Sequence, residues 1–547
     1  MTTTRLGLAG CAMALAVLAA CGGPGAEPPT AAAPQGALAD KRAVAEVARD
    51  AKMERAPLLR GATQMGSRLV YAPAAQERET YDPITGNQVA RVAEQPVSTF
   101  SIDVDTASYS NVRRFIENGR LPPGDAVRIE ELVNYFDYDY PAADSQARPF
   151  SLTTELAPTP WNPKTHLLHI GLKGYEVAKA ERPAANLVFL LDVSGSMNSP
   201  DKLPLVKRSL RLLTNELGPE DRVAIAVYAG AAGVVLEPTP GDRKAKIAMA
   251  LDKLRAGGST AGGQGLELAY ALAAENFNKA GINRVILATD GDFNVGITDP
   301  RQLEDFIARK RESGVTLSIL GFGRGNYNDA LMERLTNAGN GNAAYIDSLM
   351  EARKVLVEEL DSTLLTIAKD VKIQIEFNPQ TVSEYRLVGY ENRLLKREDF
   401  DNDKVDAGDI GAGHSVTAIY EIALVGDGGE RLPPLRYQPS AKGQFDFVDE
   451  LAFLKLRFKQ PGGNNSELIQ ASIRVEDIKP DLVETSQNFR FAAAVAAFGQ
   501  LLRGGTDMED FAMADAIALA RNARGEDRWG YRSEFIRLAA LAESLSK

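Results

Sequence analysis

The stretch from Leu187 to Met197 reads Leu-Val-Phe-Leu-Leu-Asp-Val-Ser-Gly-Ser-Met, and it constrains the fold of this chain more than any other. Five apolar residues rich in strand formers stop abruptly at Asp192 and a polar bend. That is the pattern of a buried parallel strand delivering a carboxylate to its carboxyl end. Open α/β sheets bind their ligands at that end. Asp192, Ser194 and Ser196 then alternate along the loop, and Gly195 lets the backbone turn tightly between the serines. Three small oxygen-bearing side chains spaced this way suit a hard divalent cation.

Two remote stretches supply what the loop lacks. Arg284 to Asp290 reads as a second strand ending in a carboxylate, and Gly257-Gly258-Ser259-Thr260 is a glycine-rich loop presenting a hydroxyl. In this order, Asp192, Ser194, Ser196, Thr260 and Asp290 resemble the metal-ion-dependent adhesion site of von Willebrand factor type A (VWA) domains. The resemblance implies a doubly wound, Rossmann-like α/β domain. It also implies serine hydroxyls bound directly to the ion, with Thr260 and the two aspartates bound directly or through water. An Asp or Glu of a protein partner would complete the shell. Mg²⁺ is the expected cation, with Mn²⁺ and Ca²⁺ as alternatives. Mg²⁺ takes about six oxygens and is usually held by only one or two carboxylates. With neutral hydroxyls, two carboxylates at most balance the ion, and a coordination position is left for an acidic group. The loop after Asp290 should rim this pocket. Asp292 and Asn294 either extend the shell, contact the partner or are simply solvated, while Met197 and Phe293 either line the ion or pack in the core.

The amino end carries Arg5 as its only charge, an apolar run from Leu6 to Leu18, and then Leu18-Ala19-Ala20-Cys21. This is the pattern of a secretory signal. Its last four residues resemble a bacterial lipobox, which implies cleavage before Cys21 and lipidation of that cysteine. An ordinary cleaved signal and an uncleaved anchor are the alternatives, although the run is short for a bilayer span. Gly22, standing where an inner-membrane lipoprotein often has aspartate, implies the outer membrane of a Gram-negative envelope. Cys11 leaves with the signal, so a single lipidated cysteine remains and no disulfide is expected. The net charge of −11 and the lack of a basic cluster argue against nucleic acid as a partner.

The chain divides into a signal (1–20), a lipidated Cys21 with a Gly/Pro/Ala-rich tether (21–75), an N-terminal VWA-associated α/β region (76–149), a β segment (150–182), the VWA domain (183–366), a β-rich region (367–460) and a mainly helical C-terminal region (461–547). In the first globular part, Asp105 or Thr106 is expected to cap a helix that places Tyr109, Val112, Phe115 and Ile116 on one face and ends at Gly119, and Asp103 to Ser108 only superficially imitates the metal loop. Two strand candidates, Ser151–Leu156 and Thr165–Leu172, are separated by Pro158, Pro160 and Pro163. After Val371 the apolar period changes to two, as in half-buried strands. Those strands are expected to form a sheet or β-sandwich, pairing with 151–172 so that the VWA domain is inserted between them. Near the carboxyl end, Thr506 to Glu509 reads as a capping box that opens a helix.

No catalytic constellation is apparent, so an enzyme is not expected. The chain has three histidines, His166, His169 and His414, of which the first two are read as surface or sheet-packing residues, and this scarcity weakens mechanisms that need an imidazole base. A Mg²⁺-dependent hydrolase is one alternative, because a strand ending in Asp192 superficially resembles haloacid-dehalogenase phosphatases. Those enzymes place a second aspartate two residues on, where this chain has Ser194. A structural envelope lipoprotein whose metal only stabilises the fold is the other alternative. The leading expectation is a lipid-anchored envelope protein that binds a protein ligand through a divalent cation.

Overall fold

In the computed structural model, which describes residues 79–258, 262–291, 300–325, 327–433 and 447–547, strands far apart in sequence pair with one another. The first part of the chain gives β1 (Ala90–Arg91), β2 (Val97–Ser101), α1 (Ala107–Glu117), α2 (Ile129–Asn134) and the hairpin β3 (Phe150–Thr159) and β4 (Asn162–Gly174). The prolines do not hold these last two strands apart. Pro158 pairs with His166, and the hairpin closes at Thr159 and Asn162. Thr106 precedes α1 without a side-chain cap. Instead, Glu131 of α2 accepts from the Ser108 amide at 2.8 Å.

The Asp192 stretch then opens a doubly wound domain. It comprises β5 (Ala185–Asp192), α3 (Leu203–Glu216), β6 (Arg222–Tyr228), β7 (Ala232–Pro240), α4 (Lys244–Lys253), α5 (Gly262–Glu275), β8 (Ile282–Thr289), α6 (Pro300–Arg311), β9 (Thr316–Phe322), α7 (Asp329–Ala338) and β10 (Ala343–Ile346). The sheet order is β10-β9-β8-β5-β6-β7. All neighbours are parallel except β7, which runs antiparallel on β6. The unbroken apolar run of β5 follows from burial on both faces. Leu187, Phe189 and Leu191 enter one core with Val206 and Leu210, while Val188 and Leu190 enter the other with Leu266 and Leu317.

The helical stretch that follows β10 is broken. It runs as α8 (Leu349–Arg353), a π turn over Lys354–Glu358, and α9 (Leu360–Leu364), with the Glu359 amide donating to the Lys354 carbonyl at 2.9 Å. In that wider turn the buried Lys354 ammonium lies 4.4 Å from the centre of the Tyr135 ring.

The remaining elements are β11 (Thr366–Phe377), β12 (Val382–Val388), β13 (Gly408–Gly411), β14 (Ser415–Leu424), β15 (Glu450–Lys459), β16 (Ser466–Arg474), α10 (Gln487–Leu502), α11 (Met513–Asn522) and α12 (Tyr531–Leu545). One sheet has the order β1-β12-β14-β4-β3, and the other is β13-β11-β15-β16 with β2 also paired to β11. Both contribute to a single core that includes Phe100, Ile170, Ile373, Tyr420 and Leu454, which makes them a β-sandwich. β4 pairs with β14 and β2 with β11, so the doubly wound domain is an insertion between strands of this sandwich. On the outer face of the first sheet, α1 and α2 share a second core with α10, α11 and α12 around Phe136, Phe491 and Phe535.

Thr506 to Glu509 does not open a helix. Glu509 sits at φ +46°, the left-handed region, and α11 begins at Met513. Asp103 and Asp105 are held by Arg393, whose Nε donates to Asp103 at 3.1 Å, so this imitation of the metal loop is filled by a guanidinium. A seam of buried ion pairs ties the inserted domain to the rest. Arg113 of α1 meets Asp347, Glu351 and Glu534 at 2.6, 2.7 and 2.8 Å. Arg128 meets Asp329 and Glu333, both at 2.7 Å. Among the described residues no helix is long and apolar enough to cross a membrane.

Candidate metal centre

Parallel pairing of β5 with β8 sets Leu191 opposite Ala288, so the two strands release Asp192 and Asp290 side by side at their carboxyl ends. Both aspartates are fully buried. The Asp192 carboxylate is oriented from three directions. Its Oδ1 accepts from the Ser194 amide at 2.8 Å, and its Oδ2 accepts from the Tyr228 hydroxyl at 3.2 Å and the Thr289 hydroxyl at 3.4 Å. Ser194 Oγ lies 3.0 Å from Ser196 Oγ, with Ser194 buried and Ser196 exposed, so the hydroxyl pair leads from the interior to the surface.

The glycine-rich loop is stitched to this bend. The Gly195 amide donates to the Gly258 carbonyl at 3.1 Å and the Gly257 amide to the Val193 carbonyl at 2.8 Å. Gly258 takes φ +85°, a conformation natural to glycine. Thr260, Asp292, Phe293 and Asn294 lie outside the described residues, as does Cys21. Met197 is fully buried within the core that packs on Leu187 and Leu191, so it is a packing residue and does not line the rim.

Three participants carried no readable signal in the sequence. Tyr228 ends the neighbouring strand β6, and Thr289 is the last residue of β8. Lys202, just ahead of α3, donates from Nζ to Asp290 Oδ2 at 2.8 Å. Histidine does not enter the site. His169 is buried in the sandwich sheet with Nε2 2.9 Å from the Tyr140 hydroxyl, and burial holds its pKa down to about 4.

The donor set is entirely oxygen. Burial first, and the neighbouring Asp290 charge with it, push the Asp192 carboxyl up to about 6. Two carboxylates withdrawn from water beside a hydroxyl pair, one of them paired with the single ammonium of Lys202, leave net negative charge on an oxygen donor set, which attracts a divalent cation. These residues therefore fit a hard cation.

With this geometry in view, the chain can be set beside known proteins. A model described as von Willebrand factor type A domain matches residues 186–359, one described as von Willebrand factor matches 75–169, and one described as the C-terminal region of uncharacterized protein YfbK matches 362–545. Uncharacterized protein YfbK of Escherichia coli K12 is 47% identical over 502 residues, covering 90% of this chain and 86% of that protein. The chain belongs to the YfbK family.

Beyond the YfbK family, human inter-alpha-trypsin inhibitor heavy chain H4 is 27% identical over 194 residues, 33% of this chain and 20% of that one. Among solved structures, a von Willebrand factor type A protein from Catenulispora acidiphila aligns with 71% of this chain and 89% of its own at 17% identity, with a TM-score of 0.41. The inserted domain of this YfbK-family chain is a VWA domain, which points to protein–protein interaction or adhesion.

Proposed function

We propose that this YfbK-family chain is a bacterial envelope lipoprotein, anchored through Cys21 and placed at the outer membrane, whose VWA domain binds a protein ligand through a divalent cation. Ser194 and Ser196 would hold the ion together with Asp192, Asp290 and Thr260, and Mg²⁺ suits this oxygen set best. When bound, the ion supplies a Lewis-acidic position for an Asp or Glu carboxylate of the partner. The chain's own residues do the rest. Tyr228, Thr289 and the Ser194 amide fix the Asp192 carboxylate, and the exposed Ser196 marks the side from which a partner approaches.

The observation that carries this reading is the convergence of Asp192, Ser194, Ser196 and Asp290 at the carboxyl ends of two adjacent parallel strands. Two residues past Asp192, the Ser194 hydroxyl bonds to Ser196 and offers no second carboxylate of the kind a phosphatase would use there. The test is a pull-down from envelope extract with the chain from Gly22 onward, in Mg²⁺ and in EDTA, beside the double variant Asp192→Ala, Ser194→Ala. A protein retained only by the wild type in Mg²⁺ is expected. Identical retained sets in all conditions, with the variant losing only thermal stability, would assign the cation a structural role instead.

A further inference from the structure

We infer that Lys202 is a built-in counter-ion of the metal centre, a tethered ammonium that holds Asp290 in place when the cation is absent and so frees the fold from dependence on the metal. The inference rests on the metal reading above. Two buried carboxylates facing one another without a cation repel, and each pays for its lost hydration. Here the charge on one is met from within the chain, because Lys202 Nζ stands 2.8 Å from Asp290 Oδ2 and the lysine is only 7% exposed.

This placement is built by the loops around it. The Lys202 amide donates to the Ser199 carbonyl at 3.1 Å, and the Lys202 carbonyl accepts from the Val206 amide at 2.9 Å, so the residue sits at the fixed root of α3. Its aliphatic stem crosses Gly323, just past β9. A Cβ at Gly323 would fall 2.3 Å from Lys202 Cγ and Cε, and the glycine also takes φ +76°. The Tyr345 hydroxyl donates to the Gly323 carbonyl at 2.6 Å and pins that crossing point. The domain thus keeps a channel free of side chain through which the lysine reaches the aspartate.

One consequence concerns stability and another concerns the ligand. With Asp290 already neutralised, the site stays assembled without its ion. With a divalent cation added, two carboxylates are outweighed by the ion and the ammonium together. The net single positive charge is what an incoming carboxylate cancels, so Lys202 biases the centre toward an anionic partner.

The test uses the chain from Gly22 onward as wild type, Lys202→Met and Lys202→Arg, with Mn²⁺ binding followed by electron paramagnetic resonance and melting temperature measured in EDTA and in Mg²⁺. Wild type should bind Mn²⁺ and gain in Mg²⁺ only the modest rise in melting temperature that binding to the folded state itself confers. Lys202→Met should melt about 5 °C or more lower in EDTA and regain most of that loss in Mg²⁺. Lys202→Arg, which keeps the charge, should follow wild type. An unchanged melting temperature for Lys202→Met in EDTA, or an equal loss with and without Mg²⁺, overturns the counter-ion role while leaving metal binding intact. Absence of Mn²⁺ binding by the wild type brings down the metal reading itself, and this inference with it.

Discussion

Replacing Arg113 by methionine should uncouple the VWA domain from the helices that flank it. The guanidinium side chain is 4% exposed and bonds to three carboxylates on different elements: Asp347 just after β10, Glu351 in α8 and Glu534 in α12. Methionine preserves most of the apolar stem and removes the charge. Removing one partner of a buried ion pair costs about 3–5 kcal/mol, because the other is left charged and unpaired. Here three carboxylates lose one cation, and protonation limits the damage. Burial already raises the Glu351 carboxyl above its usual range, and loss of Arg113 raises it further. A carboxyl raised in the folded state favours folding below its unfolded pKa and loses that advantage as pH climbs through the folded value. The penalty should therefore be about 4 kcal/mol at pH 7.5, or about 10 °C in melting temperature, and roughly half as large at pH 5. Differential scanning calorimetry at the two pH values reads both quantities. A loss under about 1 kcal/mol at pH 7.5, or the same loss at both, would refute the claim that this seam is an electrostatic clasp. Adding Asp347→Asn, Glu351→Gln and Glu534→Gln to the variant should recover part of the stability.

Two further perturbations address other parts of the chain. His169 is 1% exposed and titrates near 4 in place of 6.5, so the unfolded chain takes up its proton first as pH falls. Stability present above pH 6.5 should decline by about 3 kcal/mol between there and pH 4. His169→Gln should flatten that slope in urea titrations, and an unchanged slope would remove His169 as its source. Cys21→Ser should abolish incorporation of labelled fatty acid and shift the protein out of the membrane fraction; continued labelling would refute lipidation at that residue.

Much of the VWA domain was legible because its strands and helices are consecutive and each carries its own period. The apolar run of β5 needed only burial on both faces to be read. The Asp192, Ser194, Ser196 spacing was visible for the same local reason. What stayed hidden depends on contacts between distant segments. Nothing near Lys202 announces that its stem will cross Gly323, 121 positions later by the numbering, to reach Asp290. Pro158 looked like a strand terminator, yet it lies opposite His166 in a hairpin that closes only at Thr159 and Asn162. The capping-box pattern at Thr506 was overruled by the left-handed backbone of Glu509. The π turn at Lys354–Glu358 accompanies an ammonium placed against the ring of Tyr135, a residue more than two hundred positions earlier.

The way the VWA domain is inserted also decides how it would bear mechanical load. The chain enters from β4 and leaves into β11, and Arg182, just before β5, pairs with Asp221 at the start of β6 and with Asp361 in α9, so entry and exit meet at the amino ends of the parallel strands. The loops that carry Asp192 and Asp290 lie at the opposite ends. A pull on the Asp192 loop therefore runs lengthwise through β5, and its hydrogen bonds to β6 and β8 resist in shear, together and not one at a time. The covalent path then continues into β4, flanked by β3 and β14, and into β11, flanked by β15 and by β2 and β13. Neither is an edge strand that could peel away, so tension arriving at the Asp192 loop would be spread over both sheets of the sandwich at once.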